Sequence, residues 1–376
     1  MTVTPTWRTR SFSLPLASPL GTANGEIRRR EGLLVGVDGD CADGGDSVGV
    51  GEATPLPGWT ESLADCRAAL QAATGGDGAP VSPRRGRLPG PETPAARFAV
   101  TLAHRDRLAR RRGVSVAATL ATDPPATVPA NATVGDGDRE TTVAAARGAV
   151  AAGFETLKLK IGARDPATDR ERVRAVADAV GEASGATADP DSPGPTLRAD
   201  ANGAWNRATA RETLSALEGV VAYVEQPVPA TDLTGLAALR GVGAPVAADE
   251  ALAEHGPTAV LTADAADVLV CKPQALGGLE RTLGVARTAA VRGVDTVVTT
   301  TVDGAVARTA ATHLAAAVTA TTGRTRAHGL ATGDLLARDV QTPDGEPIPD
   351  PVPVSDGRVP VPTGPGLAGD TFASVV

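Results

Sequence analysis

The chain carries 36 lysine and arginine residues, yet only three are lysine: Lys158, Lys160 and Lys272. Arginine is the everyday surface cation here, and lysine survives at three places. The difference is chemical. A guanidinium stays protonated in a protein, whereas a buried lysine amine shifts its pKa readily and can take or give a proton. Lys158 and Lys160 sit two apart in the run ETLKLKI, so a strand would put both on one face. Lys272 ends a second apolar run, DVLVCKP. Asp200, Glu225 and Asp249 each close a short apolar run as well. The steps from Asp200 through Glu225 and Asp249 to Lys272 are 25, 24 and 23 residues.

Three carboxylates brought to one place repel one another unless a cation sits among them. Oxygen ligands suit a hard divalent ion, magnesium first and manganese as its substitute, with water and substrate completing the shell. No histidine falls in the series, which speaks against zinc or redox iron. A single acid at a strand end is more often a helix cap; three in consecutive units beside the lysines point to a site. A dication between lysines suits removal of a proton next to a carboxylate. The metal offsets the charge that develops, and a lysine takes the α-proton. Burial, a neighbouring lysine and the metal would each press a lysine pKa toward the working range.

These residues need elements to carry them. From about residue 131 the chain repeats an apolar run followed by an Ala/Val/Leu/Arg stretch of helical period. The runs are 155–161, 196–200, 221–225, 245–250, 267–273 and 295–301, with 131–134 and 327–329 as first and eighth candidates. Helices are expected at 139–152, 168–183, 206–217, 279–291 and 306–318. Strands alternating with helices make βαβ units, and eight of them close into a (β/α)8-type barrel, whose C-terminal strand ends converge on one mouth. No GxGxxG follows an early strand, so a dinucleotide-binding open sheet is disfavoured. Residues 1–123 read as an α+β capping domain, with strands at 33–37 and 48–51 and helices at 62–73 and 94–112. Residues 124–339 are the barrel with the active site, and 340–376 a Pro/Gly-rich tail packing back on the cap.

Composition narrows the partners. Net charge is −8 and only eight residues are aromatic, which disfavours a nucleic-acid partner. No stretch approaches the roughly 20 apolar residues of a membrane helix, and Pro15 and Pro19 interrupt the N-terminal run, unlike a signal peptide. Three cysteines without CxxC spacing form neither a disulfide framework nor a zinc knuckle. The expectation is a cytoplasmic enzyme acting on a small carboxylate, with no nucleic-acid or membrane partner and homo-oligomerisation left open.

The segments TLKLKIG, LRADANGAW, YVEQPV, VAADEAL and VCKPQALGG, in this order, resemble the enolase superfamily and its muconate lactonizing subgroup. The likeness implies that Lys160 is an acid/base, that Asp200, Glu225 and Asp249 hold the metal and that Lys272 faces them from the opposite side. Beside them, Lys158 is expected to help hold the Lys160 pKa down, and Arg198, Asn202 and Glu250 to support the ligands or the substrate. Within the subgroup, VGVGEATPLPGWTES and HGLATGDLL resemble the o-succinylbenzoate synthase family. That implies a magnesium-dependent syn dehydration in menaquinone biosynthesis. Strand seven departs from that pattern: TTTVDGAVA keeps an acid, Asp303, but has Gly304 and Ala305 where small polar residues are usual. The alternatives are an N-acylamino acid racemase or dipeptide epimerase of the same superfamily, and a non-catalytic metal-binding barrel.

Other features read more simply. Gly36–Ser47 lacks the terminal Glu of a calcium loop and reads as a turn. His328 reads as a packing residue, and His104, His255 and His313 are given no role. Trp59, in PLPGWTES, is read equally as a cover over substrate or as a cap-core residue. The loops at 19–25 and 56–61 are expected to gate the mouth. By strand alternation Cys271 should face away from the mouth as a small apolar filler.

Overall fold

The computed structural model describes residues 6–22, 25–38, 48–75, 88–185 and 194–376. The chain starts with an antiparallel meander of β1 (Thr6–Thr22), β2 (Gly25–Asp38) and β3 (Gly49–Ala53), followed by helices α1 (Leu63–Thr74), α2 (Pro94–Arg111) and α3 (Val116–Leu120). The length of β1 departs from the sequence expectation, in which two prolines broke this run. They are tolerated because β1 is an edge strand, where a missing N–H is not needed by a neighbour. The register with β2 also shifts between Pro15 and Leu20, so that Pro19 falls in the irregularity.

A short strand β4 (Thr127–Pro129) leads into β5 (Ala132–Val134), and α4 (Arg139–Ala151) opens the repeating part. There follow β6 (Thr156–Lys160), α5 (Pro166–Gly185), β7 (Thr196–Asp200), α6 (Arg207–Ala216), β8 (Val224–Glu225), α7 (Leu233–Leu239) and β9 (Val246–Ala248). Helices α8 (Glu250–His255) and α9 (Pro257–Thr262), then β10 (Val268–Cys271), α10 (Leu279–Val291), β11 (Asp295–Val298) and α11 (Ala305–Thr322) complete it. Strands β5 to β11 form one parallel sheet in sequence order. The eighth position is reduced to two bridges: His328 pairs with Ala130, and Gly329 with Thr299, joining the two edges of the curled sheet. This is the barrel-type α/β architecture with an α+β N-terminal region that the alternation of runs led us to expect.

Side-chain alternation sorts the strands into two layers. Leu157, Leu159, Leu197, Ala199, Val246, Leu269 and Cys271 face the helices in one buried cluster. Tyr223, Ala247, Val268, Val270 and Val297 fill the interior. Cys271 therefore points away from the mouth, as alternation required. The expected runs were longer than the strands observed, so Asp249 and Lys272 stand one residue past their strands.

The N-terminal helices pack on one side of the barrel. Phe98 and Leu102 of α2 share a core with α10, α11 and tail residues such as Val359, Leu367 and Phe372. Within the tail, β12 (Arg358–Pro360) pairs with β4. Arg10 of β1 donates to the carbonyls of Gln341, Thr342 and Val375. No described helix is long and apolar enough to cross a membrane. The turn read at Gly36–Ser47, the insertion at 189–195 and the loop at 75–90 fall largely outside the described residues.

Candidate active site

In strand register Lys160 is opposite Asp200, and Asp200 is opposite Glu225. Three charged side chains thus stand side by side at the ends of β6, β7 and β8. Asp249 and Lys272 continue the row past β9 and β10. All three acids are deeply buried: Asp200 and Glu225 are 1% exposed and Asp249 4%.

The lysines divide the acids among them. The Lys158 ammonium lies 2.9 Å from Asp200 Oδ2 and 2.7 Å from Glu225 Oε1. Lys160 donates to Asp200 Oδ2 at 2.6 Å and to Asn202 Oδ1 at 2.8 Å. Lys272 pairs with Asp249. Of the three, Lys160 has the most open side chain. Its strand end is held by Arg172, which is 1% exposed and donates to the Lys160 carbonyl and to Asp169.

Electrostatics set the acids apart. Burial raises the Glu225 carboxyl to about 7, with the charge of Asp200 adding to the effect. Burial likewise raises Asp249 to about 6 against the pull of Lys272. Burial pushes Asp200 in the same sense, but Lys158 and Lys160 outweigh it and hold Asp200 below the ordinary carboxylate range. Burial alone would lower Lys158; Asp200, Glu225 and Asp249 instead carry it well above its ordinary value. Lys158 is therefore a fixed cation between two acids.

The expected supporting residues are placed as follows. Asn202 bridges Lys160 and Glu250, donating from Nδ2 to Glu250 Oε1 at 3.0 Å. Arg198 lies one layer deeper, 5.0 Å from the Tyr223 ring centre, and donates to the Ala327 carbonyl at 2.8 Å. Its bonds make it part of the barrel interior. From the N-terminal region, Trp59 lays its indole over Lys272, with the ammonium 3.4 Å from the ring centre. The loop carrying it is fixed on both sides: Thr54 N–H donates to Gln274 Oε1, and Glu61 accepts from Ala95 and Ala96 N–H. Asp303 accepts from Thr301 N–H and Oγ1 and lies in the field of Arg30. His328 accepts the Val298 N–H through Nδ1 in the core, as a packing residue would.

Among the described residues, no three acids, histidines or cysteines already close on one point; ammonium groups stand between the acids. The donor set nonetheless fits a hard cation. It is all oxygen, and the buried Glu225 Oε2 has no hydrogen-bond partner. Glu225 also lines a small cavity, together with Asn131, Thr133, Lys158, Tyr223, Thr299 and Thr332 among others. Sequence reasoning passed over Gln226 and Gln274, both 1% exposed or less. The one available signal was that each sits within two residues of a charged strand-end group.

Residues 141–370 match the family described as Enolase C-terminal domain-like. The chain is 39% identical over 220 residues to an o-succinylbenzoate synthase of Thermobifida fusca, covering 57% of this chain and 62% of that protein. It is 34% identical over 215 residues to muconate cycloisomerase 1 of Rhodococcus opacus, covering 56% and 52%. The match thus spans between half and two thirds of these relatives' length. A solved L-Ala-D/L-Glu epimerase of Bacillus subtilis superposes with a TM-score of 0.81 at 27% identity, covering 98% of each chain.

Proposed function

Because the chain belongs to the Enolase C-terminal domain-like family, we propose that it is an o-succinylbenzoate synthase. It would convert 2-succinyl-6-hydroxy-2,4-cyclohexadiene-1-carboxylate to 2-succinylbenzoate and water, a step of menaquinone biosynthesis. The observation that carries this reading is the row Asp200–Glu225–Asp249, one acid per consecutive strand, bracketed by Lys160 and Lys272. The 39% identity to a named synthase favours the dehydration within the family.

Asp200, Glu225 and Asp249 would hold magnesium, for which manganese would substitute. When bound there, the ion supplies positive charge to the ring carboxylate as the neighbouring carbon loses its proton. The remaining work belongs to this chain. Lys160, as the free amine, takes the proton from the carbon bearing the carboxylate. The electron pair forms a ring double bond as the C–O bond breaks, and the protonated Lys160 returns its proton to the departing hydroxide on the same face. Water leaves, and the ring becomes aromatic. Lys272 stays an ammonium across the mouth and faces the negative charge that develops. Lys158 anchors Asp200 and Glu225, and Asn202 orients Lys160 against Glu250. Residues 1–123 would close the mouth through the loop bearing Trp59, residues 124–339 would carry the chemistry, and 340–376 would tie the two together.

The test is to mix protein, magnesium and the cyclohexadiene substrate and follow aromatisation by ultraviolet absorbance. Magnesium-dependent turnover supports the reading, and its absence under conditions where the protein is folded refutes it. One observation favours epimerisation of a dipeptide or N-acylamino acid as a second reading. Lys160 and Lys272 pair with different acids, an arrangement that two opposed bases would also adopt. Incorporation of deuterium at the α-carbon of L-Ala-L-Glu in heavy water, without dehydration of the cyclohexadiene, would establish it instead.

A further inference from the structure

Asp249 begins α8 as its N-cap residue, yet its carboxylate accepts no hydrogen bond from that helix. An aspartate at this position ordinarily folds its side chain back onto the N–H two or three residues on. Here the N–H two residues on, that of Ala251, is taken by Gln226. Gln226 Oε1 accepts from Ala251 N–H at 3.1 Å and from Asp249 N–H at 3.1 Å.

We propose that Gln226 is a positioning residue that caps α8 in place of Asp249, so that the Asp249 carboxylate is released to face the mouth. The inference rests on the reading of that mouth as a cation site. Gln226 is fully buried, and its Nε2 donates to the Val228 carbonyl at 2.9 Å, which fixes the orientation of the amide. Its backbone is held in the left-handed region, φ +42°, immediately before Pro227. A residue before proline normally adopts an extended backbone, so the conformation persists only because its surroundings enforce it. They do so from both sides. Gln226 N–H donates to the Ala247 carbonyl at 2.8 Å, and the Gln226 carbonyl accepts from Gly203 N–H at 2.6 Å. The chain thus bends sharply after Glu225 and sends the next side chain across to the neighbouring acid's backbone.

The experiment is calorimetric titration of magnesium alone, without substrate, into wild type, Gln226→Met and Asp249→Asn, each checked for folding by circular dichroism. Loss of a group that orients a ligand typically weakens metal binding about 10–100-fold. Gln226→Met should weaken magnesium at least tenfold at temperatures well below its melting point. A merely structural glutamine would lower the melting temperature and leave that affinity alone. If Gln226→Met binds within twofold of wild type while Asp249→Asn is weakened, the positioning role is overturned and the cation site stands. If Asp249→Asn itself binds as wild type does, the cation reading of the mouth fails. Should the Met variant not fold, Gln226→Ala, which leaves room for water at the two N–H groups, carries the same comparison.

Discussion

In the N-terminal region Glu52, Glu61 and Asp106 are at most 9% exposed, and their oxygens accept backbone N–H groups from distant segments. Glu52 receives Gly304 and Ala307 at the start of α11, Glu61 receives Ala95 and Ala96 at the start of α2, and Asp106 receives Val50 and Leu367. At the barrel mouth Asp200, Glu225 and Asp249 are buried as deeply, yet none ties in a distant segment this way; Asp200 Oδ1 accepts a backbone N–H only from Asn202, two residues on, at 3.1 Å. Across the chain their partners are lysine ammonium groups on flexible stems, and one oxygen of Glu225 has no partner. An acid bonded to fixed backbone donors joins two pieces of chain. An acid bonded to movable cations can exchange them for a ligand. Burial alone does not distinguish a staple from a site; the kind of partner does.

The largest effect expected from this contrast is catalytic. Lys160→Arg keeps the charge beside Asp200 and removes the free base, so turnover should fall by roughly 10²–10⁴-fold with the melting temperature little changed. Lys272→Arg should retain measurable turnover. Near-normal dehydration by Lys160→Arg with a dead Lys272→Arg would reverse the two roles.

The architectural half of the comparison should answer to acid. Burial lowers His313 to about 4 and His328 to about 3, so both are held neutral in the fold. Their contribution is full above the ordinary histidine value near 6.5 and is lost as pH falls from there toward the lowered values. For His313 that loss is on the order of 3 kcal/mol. Glu52, raised to about 7 by burial, runs the other way, its contribution fading as pH rises from about 4.5 to about 7. Urea unfolding between pH 7 and pH 4 should show the acid loss, and His313→Gln should remove about one proton from its slope. An unchanged slope in that variant would mean that His313 is not buried neutral.

Glu52→Ala leaves the N–H groups of Gly304 and Ala307 without their acceptor and should cost about 2–4 kcal/mol in urea unfolding. Magnesium affinity of the folded variant should be untouched, and a parallel loss of affinity would blur the two classes of acid. Trp59 offers the smallest effect. Trp59→Phe keeps an aromatic face over Lys272 and should alter KM only a few-fold, whereas Trp59→Ala should raise it further. Equal KM values for all three proteins would remove Trp59 from the mouth.

The row of acids was legible because each barrel unit delivers one charged residue at a nearly constant interval, and because lysine is so scarce that its positions stand out. Alternation also foretold that Cys271 would face the helices. The staples were not legible. Glu52 and Asp106 owe their roles to backbone groups about 250 residues away, and a backbone N–H leaves no signature in residue type. The same holds for Gln226, whose partners are the main-chain donors of Asp249 and Ala251. Strand β1 was missed because proline reads as a breaker until its position at a sheet edge is known. Asp303, the acid kept in strand seven, sits in the field of Arg30, whose guanidinium bonds the carbonyls of Thr54, Pro55 and Val302.

Magnesium titrations of Glu225→Gln and Glu52→Gln, each beside urea unfolding, set one buried acid of each class against the other. Glu225→Gln should bind magnesium at least tenfold more weakly than wild type, with its unfolding midpoint unchanged or higher because repulsion with Asp200 is relieved. Glu52→Gln should bind as wild type does and unfold at lower urea. Wild-type magnesium affinity in Glu225→Gln would contradict the assignment of the mouth acids to a cation.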